Sequence, residues 1–171
     1  MLDERALVEV ALTEFVEINC SVLGPPERAS ACEQPRTSEA LLTFEAKYKS
    51  AGKKTAGGGS KAGLASLGRI MPAPISPELT SRIQGLAMRA FQAIGARGVA
   101  RADFLLNRSQ NGLYLNEINT MPGSLAFYLW EASGLPFDEL VGTLVESALE
   151  RQRIRKQTTF SFASNLLRAE P

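Results

Sequence analysis

Histidine is missing altogether from these 171 residues. That absence removes Ser-His-Asp triads, Cys-His pairs, imidazole general bases and histidine metal sites. Any chemistry must run on carboxylates, Lys, Arg, Tyr, hydroxyls and backbone amides. Cysteine is scarce too. Cys20 and Cys32 are too few for a disulfide framework or a four-cysteine zinc site, and they read as the free thiols of a cytosolic protein. Charge of one sign is not in excess: 19 Lys+Arg against 18 Asp+Glu leave a net charge of +1. This gives no push toward nucleic acid or a membrane surface, and neither is expected as a partner. No apolar run approaches the ~20 residues of a membrane span. The opening Met1-Leu2-Asp3-Glu4-Arg5 lacks the pattern of a secretory leader, so a cytoplasmic location is expected.

What is present suits a packed fold: 44% of residues are hydrophobic and 22% charged. Leu7 to Phe15 is largely apolar and Glu17 to Leu23 alternates, which predicts strands ended by Gly24-Pro25-Pro26. A third strand is expected from about Ala40 to Tyr48. Residues 49–68 are rich in Gly, Ala, Ser and Lys. They read either as a linker or as a mobile cationic lid over an anionic ligand. Ser76 can cap a helix with Pro77 in its first turn, apolar residues follow at three- and four-residue steps to Ile94, and Gly95 closes it. Val99–Leu106 and Leu113–Asn119 read as a hairpin. A final helix starts near Phe137, with Phe137, Leu140, Val141, Leu144, Val145, Ala148 and Leu149 as its core face. Its basic end, Arg151 to Lys156, complements the helix dipole better than it suggests a nucleic-acid patch.

The hairpin carries the most chemistry. Side chains two apart on a strand share a face. Arg101 and Asp103 therefore point one way, as do Glu117 and Asn119, with Leu113 and Leu115 counted on that same face. Antiparallel pairing can bring together one Arg, two carboxylates and one amide. One reading is a salt bridge at a solvated sheet end. The other is a hard-cation site, since Mg²⁺ prefers oxygen ligands and uses one or two carboxylates beside substrate phosphate. Arg101 would then offset charge on a transferring phosphoryl group. After Asn119, the turn Thr120 to Leu125 leads into a helical stretch from Ala126 to Trp130. Gly123 and Ser124 at its start can present N–H groups to an oxyanion, or simply form a turn with a Ser cap.

Phe44-Glu45-Ala46-Lys47-Tyr48, Arg101-Ala102-Asp103-Phe104 and Tyr114-Leu115-Asn116-Glu117-Ile118-Asn119-Thr120-Met121-Pro122-Gly123 resemble D-alanine–D-alanine ligases of the ATP-grasp superfamily. The order and spacing match across most of the chain. Ser124 to Glu131 and the tail Thr159 to Leu167 resemble one subgroup of these ligases.

The resemblance implies an α+β fold: the ATP-grasp C-terminal lobe, an antiparallel sheet with packed helices and a long Gly-rich lid loop. It implies ATP and two Mg²⁺ ions, replaceable by Mn²⁺, held by Asp103, Glu117 and Asn119. Arg101 and Lys47 would contact the γ-phosphoryl group. Glu9 and Leu12 would lie at the nucleotide, Glu9 beside adenine, with Glu17 on the ribose. Gly123 would supply an oxyanion N–H, and Ser124 with Leu125 would hold the carboxylate of the second D-alanine. Tyr48 and the Gly-rich segment would close over the site. The implied reaction phosphorylates one D-alanine carboxylate and lets the amine of a second attack the acyl phosphate, for peptidoglycan precursors. An acyl phosphate needs shielding from water, which gives a lid a purpose.

In domain terms, residues 1–155 are expected to form the C-terminal part of an ATP-grasp domain. Within it lie hinge strands at 6–24, the lid at about 49–68 and the metal-binding hairpin at 98–119. Residues 156–171 are expected to be a tail. The family's N-terminal substrate domain and first ATP-binding subdomain are expected to be absent, so the chain alone is expected to be inactive, and the full-length enzyme to be a homodimer. Two other readings stay open: an ATP-grasp ligase for a different carboxylate and amine, and a non-catalytic nucleotide-binding module.

Overall fold

A computed structural model describes residues 8, 10–36, 68–107 and 112–158. Its elements are β1 (Phe15–Gly24), β2 (Arg28–Pro35), β3 (Arg69–Ile70), α1 (Pro77–Ala93), β4 (Gly98–Asn107), β5 (Gly112–Asn119), a 3-10 turn (Gly123–Ala126), α2 (Phe127–Glu131) and α3 (Phe137–Gln157). The strands form one five-stranded sheet in the order β3-β2-β1-β4-β5. Every described pairing is antiparallel. The expected α+β class with an antiparallel sheet and packed helices holds.

Strand alternation gives the sheet two chemically different faces. Ile18, Cys20 and Val22 of β1, with Ala100, Ala102, Phe104 and Leu106 of β4, pack against Ile83, Ala87 and Phe91 of α1. The intervening residues of β1 and β4 point to the opposite face. There Leu23 and Val99 form a second apolar cluster with Trp130 of α2 and Leu140 of α3. That cluster occupies one end of the face. The other end is left to Asn19, Ser21, Arg101 and Asp103.

Local sequence explains α1. Ser76 accepts the Leu79 N–H at 3.2 Å, Pro77 opens the helix, and Gly95 takes φ +62° just beyond Ile94. Three expectations need correction. Of the strand expected over Leu7 to Phe15, residues 10–14 are irregular and Glu14 has φ 55°, which no extended strand accommodates; the described strand β1 begins at Phe15. A second strand, β2, lies where none was expected. Its Arg-Ala-Ser-Ala-Cys-Glu-Gln-Pro sequence has no large apolar residue, because Ser30 and Cys32 are the small side chains that fit under α1 and beside β1. The core face of α3 is much shorter than its apolar pattern. Leu140 is buried and Leu144 packs beside it, but Phe137, Val145 and Leu149 are exposed, at 48%, 52% and 66%. A 21-residue helix is ~30 Å long, and only its first turns lie over the sheet.

The strand expected at 40–48 and the lid expected at about 49–68, apart from its last residue Gly68, lie outside the described residues, as do 159–171. The basic end of α3 is exposed, with Arg153 paired to Glu150 at 2.8 Å, and α3 runs past residue 155 to Gln157. No helix among the described residues is long and apolar enough to cross a membrane.

Candidate functional site

β4 and β5 bring the expected hairpin residues together. In register, Arg101 faces Asn119 and Asp103 faces Glu117. The pairing slips between Asp103 and Phe104, where Phe104 faces Leu115 while Asp103 faces Glu117. Asn116 is therefore the extra residue of a β-bulge. The bulge reverses which side β5 presents. Leu113 and Leu115, opposite Leu106 and Phe104, belong with the α1 face, whereas Glu117 and Asn119 join Arg101 and Asp103 on the other. Counting by twos had put all four on one face. The extra residue is what re-aims the carboxylate, a common use of bulges near functional sites.

Asp103 is 1% exposed and sits in a two-pronged pair with Arg101. Arg101 Nε donates to Oδ1 at 2.6 Å and Nη2 to Oδ2 at 2.7 Å. Burial pushes the Asp103 carboxyl above its ordinary range, Arg101 opposes that, and the neighbouring Glu117 charge adds to it. The paired carboxylate in turn raises the Arg101 pKa. So the salt bridge foreseen as one reading is present, and it coexists with a second carboxylate pressed against the first. Nη1 of Arg101 is not engaged in the two bonds to Asp103.

A row of polar side chains continues across the sheet. Asn19 lies between Glu33 of β2 and Asp103 of β4. Its Nδ2 donates to Glu33 Oε1 at 3.4 Å, while its Oδ1 is buried without a hydrogen-bond partner among the described residues. Glu33 also accepts the Tyr128 hydroxyl at 2.8 Å, and Arg69 approaches it at 3.6 Å and lies 3.8 Å above the Tyr128 ring. Burial first, and then Glu33, push the Tyr128 phenol up to about 12. Asn19, Glu33, Arg69 and Tyr128 were not expected at the site. Asn19 could have been found, since alternation puts it on the face of Glu17. Glu33 could not, because its strand was unrecognised.

Glu17 is on that same face of β1, opposite Leu105 and partly buried. Leu12 precedes the sheet in an irregular segment. Gly123 and Ser124 follow β5 after three intervening residues, but not as a helix start. Ser124, Leu125 and Ala126 have φ of 52°, 58° and 50°, and α2 begins only at Phe127. The expected Ser cap is absent: Pro122 precedes the turn and makes no side-chain cap. Three successive non-glycine residues in the left-handed region store strain, of order 1–3 kcal/mol each. Contacts from α2 and from Ser133 just beyond it hold the strained turn in place. Trp130 Nε1 donates to Ser21 Oγ at 3.1 Å, Tyr128 reaches Glu33, and Ser133 Oγ accepts the Ala31 N–H at 2.7 Å. A Cβ on Gly123 would meet nothing within 4 Å, so space beside the turn is open. Glu9, Lys47 and Tyr48 lie outside the described residues.

The donor set fits a hard cation. It has two adjacent carboxylates, the amide oxygen of Asn119, and a buried amide oxygen of Asn19 that has no donor. Asn119 Oδ1 accepts the Met121 N–H at 3.0 Å and keeps a second lone pair. Among the described residues no group of three or more His, Cys, Asp or Glu side chains could hold a metal ion, so amide oxygens are needed to complete the set.

The family described as "D-ala D-ala ligase C-terminus" matches residues 1–146. A D-alanine–D-alanine ligase of Streptomyces avermitilis is 40% identical over 157 residues, covering 87% of this chain and 36% of the relative. One from Thermosipho africanus is 31% identical over 165 residues, covering 96% of this chain and 41% of the relative. The chain thus spans about two-fifths of the length of these curated relatives. Among solved structures, the D-alanine–D-alanine ligase from Coxiella burnetii superposes with a TM-score of 0.62 at 25% identity, over 86% of this chain and 35% of that one.

Proposed function

We propose, because this chain belongs to the D-alanine–D-alanine ligase C-terminus family, that it supplies the phosphoryl-transfer half of an ATP-dependent ligase. That enzyme would join two D-alanines in the cytoplasm for peptidoglycan precursor synthesis, as a homodimer at full length. The observation that carries the reading is the facing pair Asp103–Glu117, with Arg101 locked onto Asp103 and Asn119 opposite Arg101.

In this reading Asp103, Glu117 and Asn119 hold Mg²⁺, or Mn²⁺ in its place. A bound divalent ion neutralises the phosphate oxygens and aligns them for transfer. Arg101 stands beside it with Nη1 available, held in place by the two bonds its other nitrogens make to Asp103. Lys47 adds a second positive charge at the γ-phosphoryl group. Glu17 takes the ribose hydroxyls, and Glu9 and Leu12 line the nucleotide. The carboxylate of the first D-alanine attacks the γ-phosphorus and ADP leaves. The amine of the second attacks the acyl phosphate carbon, and phosphate leaves after the amine loses its proton. Gly123 donates its N–H to the oxyanion formed between these steps, and Ser124 with Leu125 holds the second carboxylate. Donors fixed before the reaction lower the barrier because they need not reorganise. Tyr48 and the Gly-rich segment exclude water from the acyl phosphate.

The domain assignment follows: residues 1–155 serve the ATP-grasp domain and 156–171 extend beyond it. The isolated 171 residues are expected to bind Mg-ATP without ligating. Calorimetry with Mg-ATP on this chain, on Asp103→Asn and on Glu117→Gln tests the reading. Binding that weakens at least ~10-fold in both variants supports it. No binding, or binding indifferent to both changes, counts against it.

A further inference from the structure

We propose that Asn19 is a further oxygen donor to the divalent-cation site at Asp103 and Glu117. The proposal rests on the metal role given above to those carboxylates, and it adds a ligand from a strand outside the hairpin.

Asn19 lies at the centre of the sheet and is 3% exposed. An amide side chain has one end that only donates and one that only accepts. The donating end, Nδ2, faces Glu33 Oε1 at 3.4 Å. Glu33 is already an acceptor for the Tyr128 hydroxyl at 2.8 Å and has Arg69 at 3.6 Å. Turning the amide over would set Oδ1 against a carboxylate oxygen, so Glu33 fixes which end points where. The accepting end is thereby directed away from β2. It is buried and has no hydrogen-bond partner among the described residues. A buried acceptor left in this state is rare and calls for a missing donor or ion.

The next side chain across the sheet is Asp103, and beyond it Glu117. Both are acceptors when ionised. Three acceptors therefore stand in line across β1, β4 and β5, and among the described residues the cation paired with Asp103 is Arg101, which reaches it from two residues along the same strand. A neutral amide oxygen beside a carboxylate is a typical partial ligand set for a hard divalent cation.

The test uses Mn²⁺ alone as probe, read by electron paramagnetic resonance on the 171-residue chain, with circular dichroism to confirm folding. The variants are Asn19→Ala, Asn19→Asp and Glu117→Gln. Asn19→Ala should weaken Mn²⁺ binding by about 10-fold or more. Asn19→Asp should bind at least as tightly as the wild type, and its loss of melting temperature without metal should shrink when Mn²⁺ is added. Wild-type affinity in Asn19→Ala while Glu117→Gln binds weakly overturns the Asn19 role and spares the hairpin site. If Asn19→Ala does not fold, Asn19→Asp decides: weaker binding, or a melting deficit that Mn²⁺ leaves unchanged, overturns the proposal. No Mn²⁺ binding by the wild type, or full binding by Glu117→Gln, removes the cation site itself and the Asn19 role with it.

Discussion

Replacing Arg101 with Met removes the counter-charge from a carboxylate that has nowhere else to turn. Asp103 has both oxygens held by Arg101, at 2.6 and 2.7 Å, and its side chain is 2% exposed against 18% for Arg101. Breaking one partner of a buried pair costs about 3–5 kcal/mol. Partial exposure of Arg101 puts the expected loss at the lower end, about 3 kcal/mol. The loss should depend on pH. Burial already holds Asp103 above its ordinary range, Glu117 adds to that, and Arg101 is the opposing influence. Without Arg101 the folded-state pKa rises further. A carboxyl raised above its unfolded value stabilises the fold below the unfolded pKa, and that contribution is lost as pH rises through the folded one. The deficit of Arg101→Met against the wild type should therefore be largest at neutral pH and shrink on acidification toward about pH 4. Urea unfolding followed by the fluorescence of Trp130, the sole tryptophan, measures it at about pH 7.5 and about pH 5. Added Mn²⁺ should restore part of the loss by supplying the missing positive charge. A variant as stable as the wild type at neutral pH, or a deficit equal at both pH values, would mean that Arg101 is not the counter-charge of a buried Asp103 carboxylate.

Other consequences follow from single contacts. Ser76→Ala removes the acceptor for the Leu79 N–H and should cost ~1 kcal/mol in the same urea assay. Trp130→Phe loses the bond to Ser21 Oγ and part of the cluster with Leu23, Val99 and Leu140; circular dichroism melts should show a loss of about 1–3 kcal/mol. Tyr128 is raised from 10.0 to about 12, so its contribution is complete below pH 10 and falls away as pH approaches 12. Tyr128→Phe should flatten that alkaline decline relative to the wild type, by about 2–3 kcal/mol across the window.

Where one local rule governed a segment, the sequence was enough. Ser76, Pro77 and Gly95 bound α1 because capping is settled within a few residues. Arg101 with Asp103, and Glu117 with Asn119, could be paired by twos because each pair lies on one unbroken stretch of strand. Two features escaped because they depend on neighbours distant in sequence. β2 has no apolar alternation: its place is set by β1 on one side and β3 on the other, and small residues suffice there. With β2 went Glu33, and with Glu33 the reason Asn19 points as it does. The bulge at Asn116 escaped because period-two counting assumes no extra residue. The same counting wrongly put Leu113 and Leu115 beside the carboxylates. The left-handed run Ser124–Ala126 has no glycine beyond Gly123 to announce it, and it persists because α2 is pinned to Ser21 and Glu33, and Ser133 just beyond it to Ala31. The apolar pattern of α3 signals a helix, but a helix pattern does not say how far along its length the sheet extends.

In the proposed function the Asp103–Glu117 face holds a divalent ion and the phosphates of ATP. The most direct measurement is Mn²⁺ paramagnetic resonance of the chain with ATP, comparing the wild type with Glu117→Gln. The wild type should show a protein-bound Mn²⁺–ATP signal, with affinity falling at least ~10-fold in the variant. A wild-type spectrum identical to that of Mn²⁺–ATP free in solution, or equal affinity in the two proteins, would contradict it.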